Sequence, residues 1–131
     1  MQNKGLLLGF EQLVTGYEFP TANYKLDLSI ISKYLVAVGL QSAEFVPPLA
    51  IAAYALSALS KSLVLPDGTI HASQELEFFQ PVPIGATIYC QSRVAQKLSR
   101  GKLNLLTIEL SALNQAKEKI LSGKATLVLQ N

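Results

Sequence analysis

Directly after Pro47-Pro48 the chain runs LAIAAYALSALSKSLV, about 16 residues that are almost all apolar or small. Proline suits a first helical turn, where its missing N–H is no loss, so a helix should begin there. A helix that is apolar all round has to be buried, and this one is too short to span a bilayer. Ala50, Ala52, Ala53, Ala55 and Ala58 would let a sheet approach it closely from several directions. The rest of the chain must supply that cover.

The cover is legible downstream. Pro66-Asp67-Gly68 is a turn in which proline fixes one dihedral and glycine admits the left-handed one. After it the apolar period changes to two. Ile70, Ala72, Leu76 and Phe78 fall on one face of a strand, and Thr69, His71, Ser73, Glu75 and Glu77 on the other. Residues 86–96, 106–112 and 121–129 read as further strands, separated by turns at 99–102 and 114–119. Upstream, one early strand is expected within residues 5–20. A short amphipathic helix is expected over 30–38. Ser29 caps it, Ile30, Ile31, Tyr34, Leu35 and Val38 fall at helical spacing, and Gly39 closes it. Helices followed by a strand meander argue for an α+β fold, with an antiparallel sheet wrapped around the long helix. With 131 residues and no repeat or linker, residues 1–131 are expected to form a single domain.

Composition narrows the partners. Half of the residues are hydrophobic and 15% are charged, which argues against disorder and for a subunit interface that hides part of the apolar surface. The net charge is +2 with no long basic run, so nucleic acid is not an expected partner. Arg93, Lys97, Arg100 and Lys102 gather loosely. They read either as a solvated hairpin tip or as a docking point for the phosphates of a nucleotide-bearing thioester. One Cys and one His leave no metal constellation and no disulfide. No secretion signal and no membrane-length apolar stretch is present. The expectations are therefore no metal, no cofactor, no membrane and a reduced, cytoplasmic location.

Four segments together resemble a known family. LDLSIISKYLVAVG (26–39), FVPPLAI (45–51), IHASQELEF followed by QPVPIGATI (70–88), and SGKATLVL (122–129) are similar in order and spacing to a MaoC-like hot-dog domain, and the third of them resembles the strand and turn of its FAS1-like dehydratase branch. The resemblance covers about residues 24–130. It implies a hot-dog fold, a homodimer or a hetero-oligomer with a catalytic hot-dog subunit, and an acyl-CoA or acyl-carrier thioester as ligand, in fatty acid metabolism. Catalytic members are lyases, hydratases or dehydratases, with an Asp and a His in a loop of the form GDxNPxH. Here Gly39 matches the glycine, Leu40 stands at the acid's position and Phe45 falls near the histidine's. Adding water across a double bond conjugated to a thioester needs one group to activate water and one to protonate carbon. Leucine and phenylalanine do neither, but both could line an acyl tunnel. The resemblance thus implies a substrate-binding or non-catalytic partner subunit.

The remaining polar candidates are few. Glu44 is either a lone base before the long helix or a loop carboxylate drawn to the helix N-terminus. If chemistry survives, it is expected there, beside free backbone N–H groups able to polarise a carbonyl oxygen. His71 is the only histidine. Its expected neighbours Ser73, Glu75 and Glu77 point outward side by side and form no relay by spacing alone. Glu44 and His71 would serve a hydratase or thioesterase with relocated residues. A ligand-binding or structural dimer is the non-enzymatic alternative. Tyr54 could donate to a thioester carbonyl or bond the backbone. Gly85 closes the turn between two strands, beside the expected thioester path. Cys90 alternates with Ile88 and Val94 and reads as a small core residue.

Overall fold

The computed structural model describes residues 9–37 and 44–130. After a short 3-10 turn at Phe10–Gln12 come strand β1 (Ala22–Lys25), helix α1 (Leu28–Ala37) and helix α2 (Pro48–Ser60). Four strands follow: β2 (Ile70–Phe78), β3 (Thr87–Arg100), β4 (Leu103–Leu113) and β5 (Lys119–Gln130). They form a five-stranded sheet in the order β1-β3-β4-β5-β2, antiparallel throughout. The expected α+β fold, a sheet packed on a long helix, is what the chain adopts. Among the described residues no helix is long and apolar enough to cross a membrane.

α2 rests on the sheet through Ile51, Ala55 and Leu59, one turn apart, with Ala50 and Ala52 beside them, all buried. The alanines allow the close approach, as expected. The helix is shorter than its apolar run, because the chain turns at Lys61 and only Leu63 of the remainder is buried. Burial on every side is not achieved either. Leu49 is 65% exposed and Ala53 is exposed. A single sheet covers one side of a helix, and the other side is left bare.

The core has two halves. One joins Ile31 and Leu35 of α1 to Ile51 and Ala55 of α2 over Ile88, Cys90, Ala112 and Leu121. The other joins Leu59 and Leu63 to Val94, Leu106, Ile108, Ala125 and Leu127, and is closed by Leu13 and Phe19. α1 begins two residues earlier than expected. The Asp27 carbonyl accepts from Ile30 N–H (3.0 Å) and Ile31 N–H (2.9 Å), so Ser29 lies inside the first turn and is not the cap. Ile30 is largely exposed. Val38 and Gly39 lie outside the described residues.

Of the early strand expected in residues 5–20, the described part, residues 9–20, holds the 3-10 turn and then a strap. Gly16 N–H donates to the Val94 carbonyl (2.8 Å), Val94 N–H to Tyr17 (2.9 Å) and Phe19 N–H to Ser92 (2.9 Å). Gly16, with φ +92°, and Pro20 keep it from regular pairing, which starts at Ala22.

Three register shifts interrupt the sheet, and two of them reset the faces that carry candidate residues. The pairing slips between Val94 and Gln96 in β3 and between His71 and Ser73 in β2. An extra residue turns every later side chain to the opposite face. Beyond the β3 bulge Lys97 therefore faces inward, opposite Leu106. Its Nζ donates to the Leu13 carbonyl (2.9 Å) and lies 4.4 Å from the centre of the Phe10 ring. Arg93, on the outer face, pairs with Glu109. Arg93 and Lys97 thus lie on opposite faces and do not converge on one phosphate-sized site.

Candidate functional site

The segment before α2 and the turn before β3 are zipped together. Val46 N–H donates to the Val82 carbonyl (2.7 Å), and Ile84 N–H donates to the Glu44 carbonyl (3.2 Å). Phe45 bridges Pro83 between them. The turn is also sewn to the start of α1, where Gly85 N–H donates to Leu26 (2.7 Å) and Leu26 N–H to Ala86 (2.9 Å). Gly85 holds φ +99°, a conformation that side chains disfavour, which is why the turn carries glycine there. Three candidates, Glu44, Phe45 and Gly85, thus meet at one end of the molecule. Leu40 lies outside the described residues.

Glu44 and Phe45 are both exposed. The free backbone donors expected beside Glu44 are fewer than the helix start suggests. Pro47 and Pro48 have no N–H, and Ala50 N–H is already bonded to the Pro47 carbonyl (2.9 Å). Leu49 supplies the remaining N–H of that turn.

Tyr54 lies one turn beyond Ala50 on the half-buried side of α2. Among the described residues it finds a ring partner and not the backbone: its centroid is 4.9 Å from that of Tyr24 on β1. Lys61 Nζ sits 5.3 Å from the centre of the Tyr24 ring and donates to its hydroxyl at 3.5 Å.

His71 is not on the face that alternation assigned to it. The β2 bulge sets it opposite Leu127, on the helix side of the sheet, while Ser73, Glu75 and Glu77 pair with Thr126, Lys124 and Ser122 on the outer side. The Ser/His/acid row is therefore broken. His71 is exposed. Seven steps of strand, roughly 20 Å, lie between it and Phe78, the end of β2 that leads to the turn zipped to Glu44, so His71 stands at the opposite end of the strand from that loop.

Cys90 is buried, and burial pushes its thiol up to about 11, which suits a core residue and not a nucleophile. Among the described residues no group of His, Cys, Asp or Glu could hold a metal ion. An open groove of about 730 Å³ crosses the outer face, lined by Arg93, Glu109, Ser111, Ser122 and Lys124 among others; none of the site candidates lines it.

Two features escaped the sequence reading. Gly123 of β5 faces β2 so closely that a Cβ there would stand 2.3 Å from the Glu75 carbonyl oxygen and 2.8 Å from Leu76 Cδ2. β2 itself is exposed along its length except at Leu76, which is half-buried. An isolated glycine in a strand is the available signal for such close approach.

No family model matches the chain, and no curated protein matches its sequence. Solved structures do. A MaoC-like dehydratase from Rhodospirillum rubrum is 23% identical with a TM-score of 0.76, covering 97% of this chain and 98% of its own. An R-hydratase from Pseudomonas aeruginosa is 18% identical with a TM-score of 0.77, covering 93% of this chain and 85% of its own. The C-terminally truncated HadBC complex, a 3R-hydroxyacyl-ACP dehydratase from Mycobacterium tuberculosis, is 14% identical with a TM-score of 0.65, covering 89% of this chain and 98% of its own. With its five-stranded antiparallel sheet closed over α2, the chain has the hot-dog fold, in the form taken by MaoC-like dehydratases and (R)-hydratases.

Proposed function

We propose that this chain is a hot-dog subunit of acyl-thioester metabolism that binds an acyl-CoA or acyl-carrier thioester and serves as the substrate-binding, non-catalytic partner of a catalytic hot-dog subunit. One observation carries the reading. The zipped loop before α2 offers Glu44 and Phe45 and no histidine, while the chain's one histidine lies at the far end of β2. An acid and a base that far apart cannot act on the same bond. The likeness to a two-component dehydratase and the bare side of α2 support assembly with a second subunit. A free buried thiol at Cys90 agrees with a cytoplasmic location, and a single domain over residues 1–131 belongs to the same reading.

The test is an assay of the purified protein against enoyl-CoA, 3-hydroxyacyl-CoA and saturated acyl-CoA thioesters. Saturable binding without hydration, dehydration or hydrolysis is the expected result. Robust turnover by the chain alone overturns the partner reading.

Glu44 supports a second reading, a hydratase or thioesterase with a relocated base, because its carboxylate is exposed beside the loop that meets Gly85. Glu44→Gln keeps the shape and removes the charge. Under this reading it loses about two orders of magnitude in rate, the usual worth of a general base. An unchanged rate together with collapse in His71→Ala would transfer the role to the histidine.

A further inference from the structure

Across the outer face of the sheet the register aligns one row of alternating charge. Glu18 stands opposite Arg93, Arg93 opposite Glu109, Glu109 opposite Lys124 and Lys124 opposite Glu75. Arg93 and Glu109 close an ion pair. The next row reads Gln91, Ser111, Ser122 and Glu77. Both rows stop in a carboxylate on β2, a strand with one side unpaired among the described residues. β2 contains no Lys, Arg or Pro, the residues that usually blunt an open edge. At and just beyond its ends, Ile70 is 60% exposed and Phe79 48%.

We propose that this edge is a heterotypic docking strand. Its occupant is a strand of a different subunit that sets Lys or Arg opposite Glu75 and Glu77 and so continues the alternation; a second copy of this chain is disfavoured. The inference rests on reading the chain as a partner subunit and adds what that partner must carry.

Charge and register together decide against a second copy. Antiparallel self-pairing about Gln74, the middle of β2, makes the two Glu75 side chains diagonal neighbours, about 7–8 Å apart. Moving the axis to Glu75, Leu76 or Glu77 puts glutamate directly opposite glutamate, which is destabilising. Moving it back to Ser73 parts the carboxylates, but it brings the bulge beside His71 to the centre of the pairing and sets Phe78 against the turn at Gly68. A basic strand meets none of these conflicts, and it converts two terminal repulsions into two cross-strand attractions.

A charge-swapped copy supplies the partner's chemistry. The wild-type chain and the double variant Glu75→Lys, Glu77→Lys are studied apart and mixed in equal amounts by sedimentation at low salt, with circular dichroism to confirm that each is folded. The mixture is expected to associate at least about tenfold more tightly than either chain alone, the effect of two opposite-charge pairs replacing like-charge ones. Added salt should erase the difference. The neutral variant Glu75→Gln, Glu77→Gln should self-associate more tightly than the wild type. A wild-type chain that forms a tight homodimer with β2 amides protected from exchange, unaltered by either substitution, overturns the proposal. That result leaves the partner reading to the thioester assay, whose failure would in turn leave the charge preference of the edge intact.

Discussion

The two edges of the sheet are built in opposite ways. β1 has four residues, is preceded by Pro20, and carries Lys25 next to Asp27 at 4.0 Å. Its Tyr24 is covered from within the chain by Tyr54 and Lys61. β2 has nine residues and only one is even half-buried. A short strand, a proline and a lysine are the common means of closing an edge against further pairing. The chain applies them on one side and omits them on the other. The difference marks two kinds of edge: β1 carries these three closing devices, and β2, the strand proposed above to dock another subunit, carries none of them.

Chemical labelling gives the widest separation between the edges. Cys90 lies on β3 beside β1, paired with Ala22, and its thiol is raised to about 11 by burial. In native protein near pH 8 it should react on the order of a thousandfold more slowly than a cysteine introduced at Ser73, because it must wait for the core to open. Comparable rates would show that the β1 edge is open as well. The same group gives a pH dependence. The unfolded thiol ionises first, so its contribution to stability is complete below pH 9 and is lost as pH rises from there towards 11. Denaturation midpoints measured across that window check the sign.

Gly123→Val attacks the seam that holds β2. The added carbons meet the Glu75 carbonyl and Leu76, and the expected loss is about 3 kcal/mol, the upper range for overpacking. Hydrogen exchange should show β2 released first. A cost below about 0.5 kcal/mol would mean that the strand is held by something other than its fit to β5.

Tyr24→Ala tests the other edge. Removing the ring contact with Tyr54 and the cation above it should cost about 1–2 kcal/mol by urea denaturation, with faster labelling of Cys90. The smallest effect belongs to Arg93→Ala. Both partners of its ion pair are substantially exposed, so the loss should stay within about 0.5 kcal/mol. A larger loss would show that the charged row stabilises the sheet itself and is more than a feature of its edge.

Much of this architecture was legible in the residues. The apolar run after Pro47-Pro48 marked α2, and alternation in 70–78, 106–112 and 121–129 marked three of the five strands, because burial against one neighbour imposes its period directly. What escaped depends on contacts distant in sequence. The bulge between His71 and Ser73 has no composition signal, yet it moves the histidine to the opposite face and dissolves the apparent Ser/His/acid row. The meeting of Glu44, Phe45 and Gly85 comes from hydrogen bonds between segments about forty residues apart. Arg93, Glu109 and Lys124 are unremarkable singly, and only the register lines them up. Within residues 9–20 a strap replaces the expected early strand for a local reason, since Gly16 and Pro20 interrupt what apolar content alone suggests.

The carboxylates at the end of the charged row also bear on the fate of a chain made in excess. An orphan subunit with a long bare strand is a seed for open-ended polymerisation, above all where Leu76, Phe78 and Phe79 follow one another so closely. Glu75 and Glu77 interrupt that stretch, as gatekeeper charges do. Each would meet its own kind in a growing stack. A pair proposed to select a partner would thereby also keep surplus chains apart.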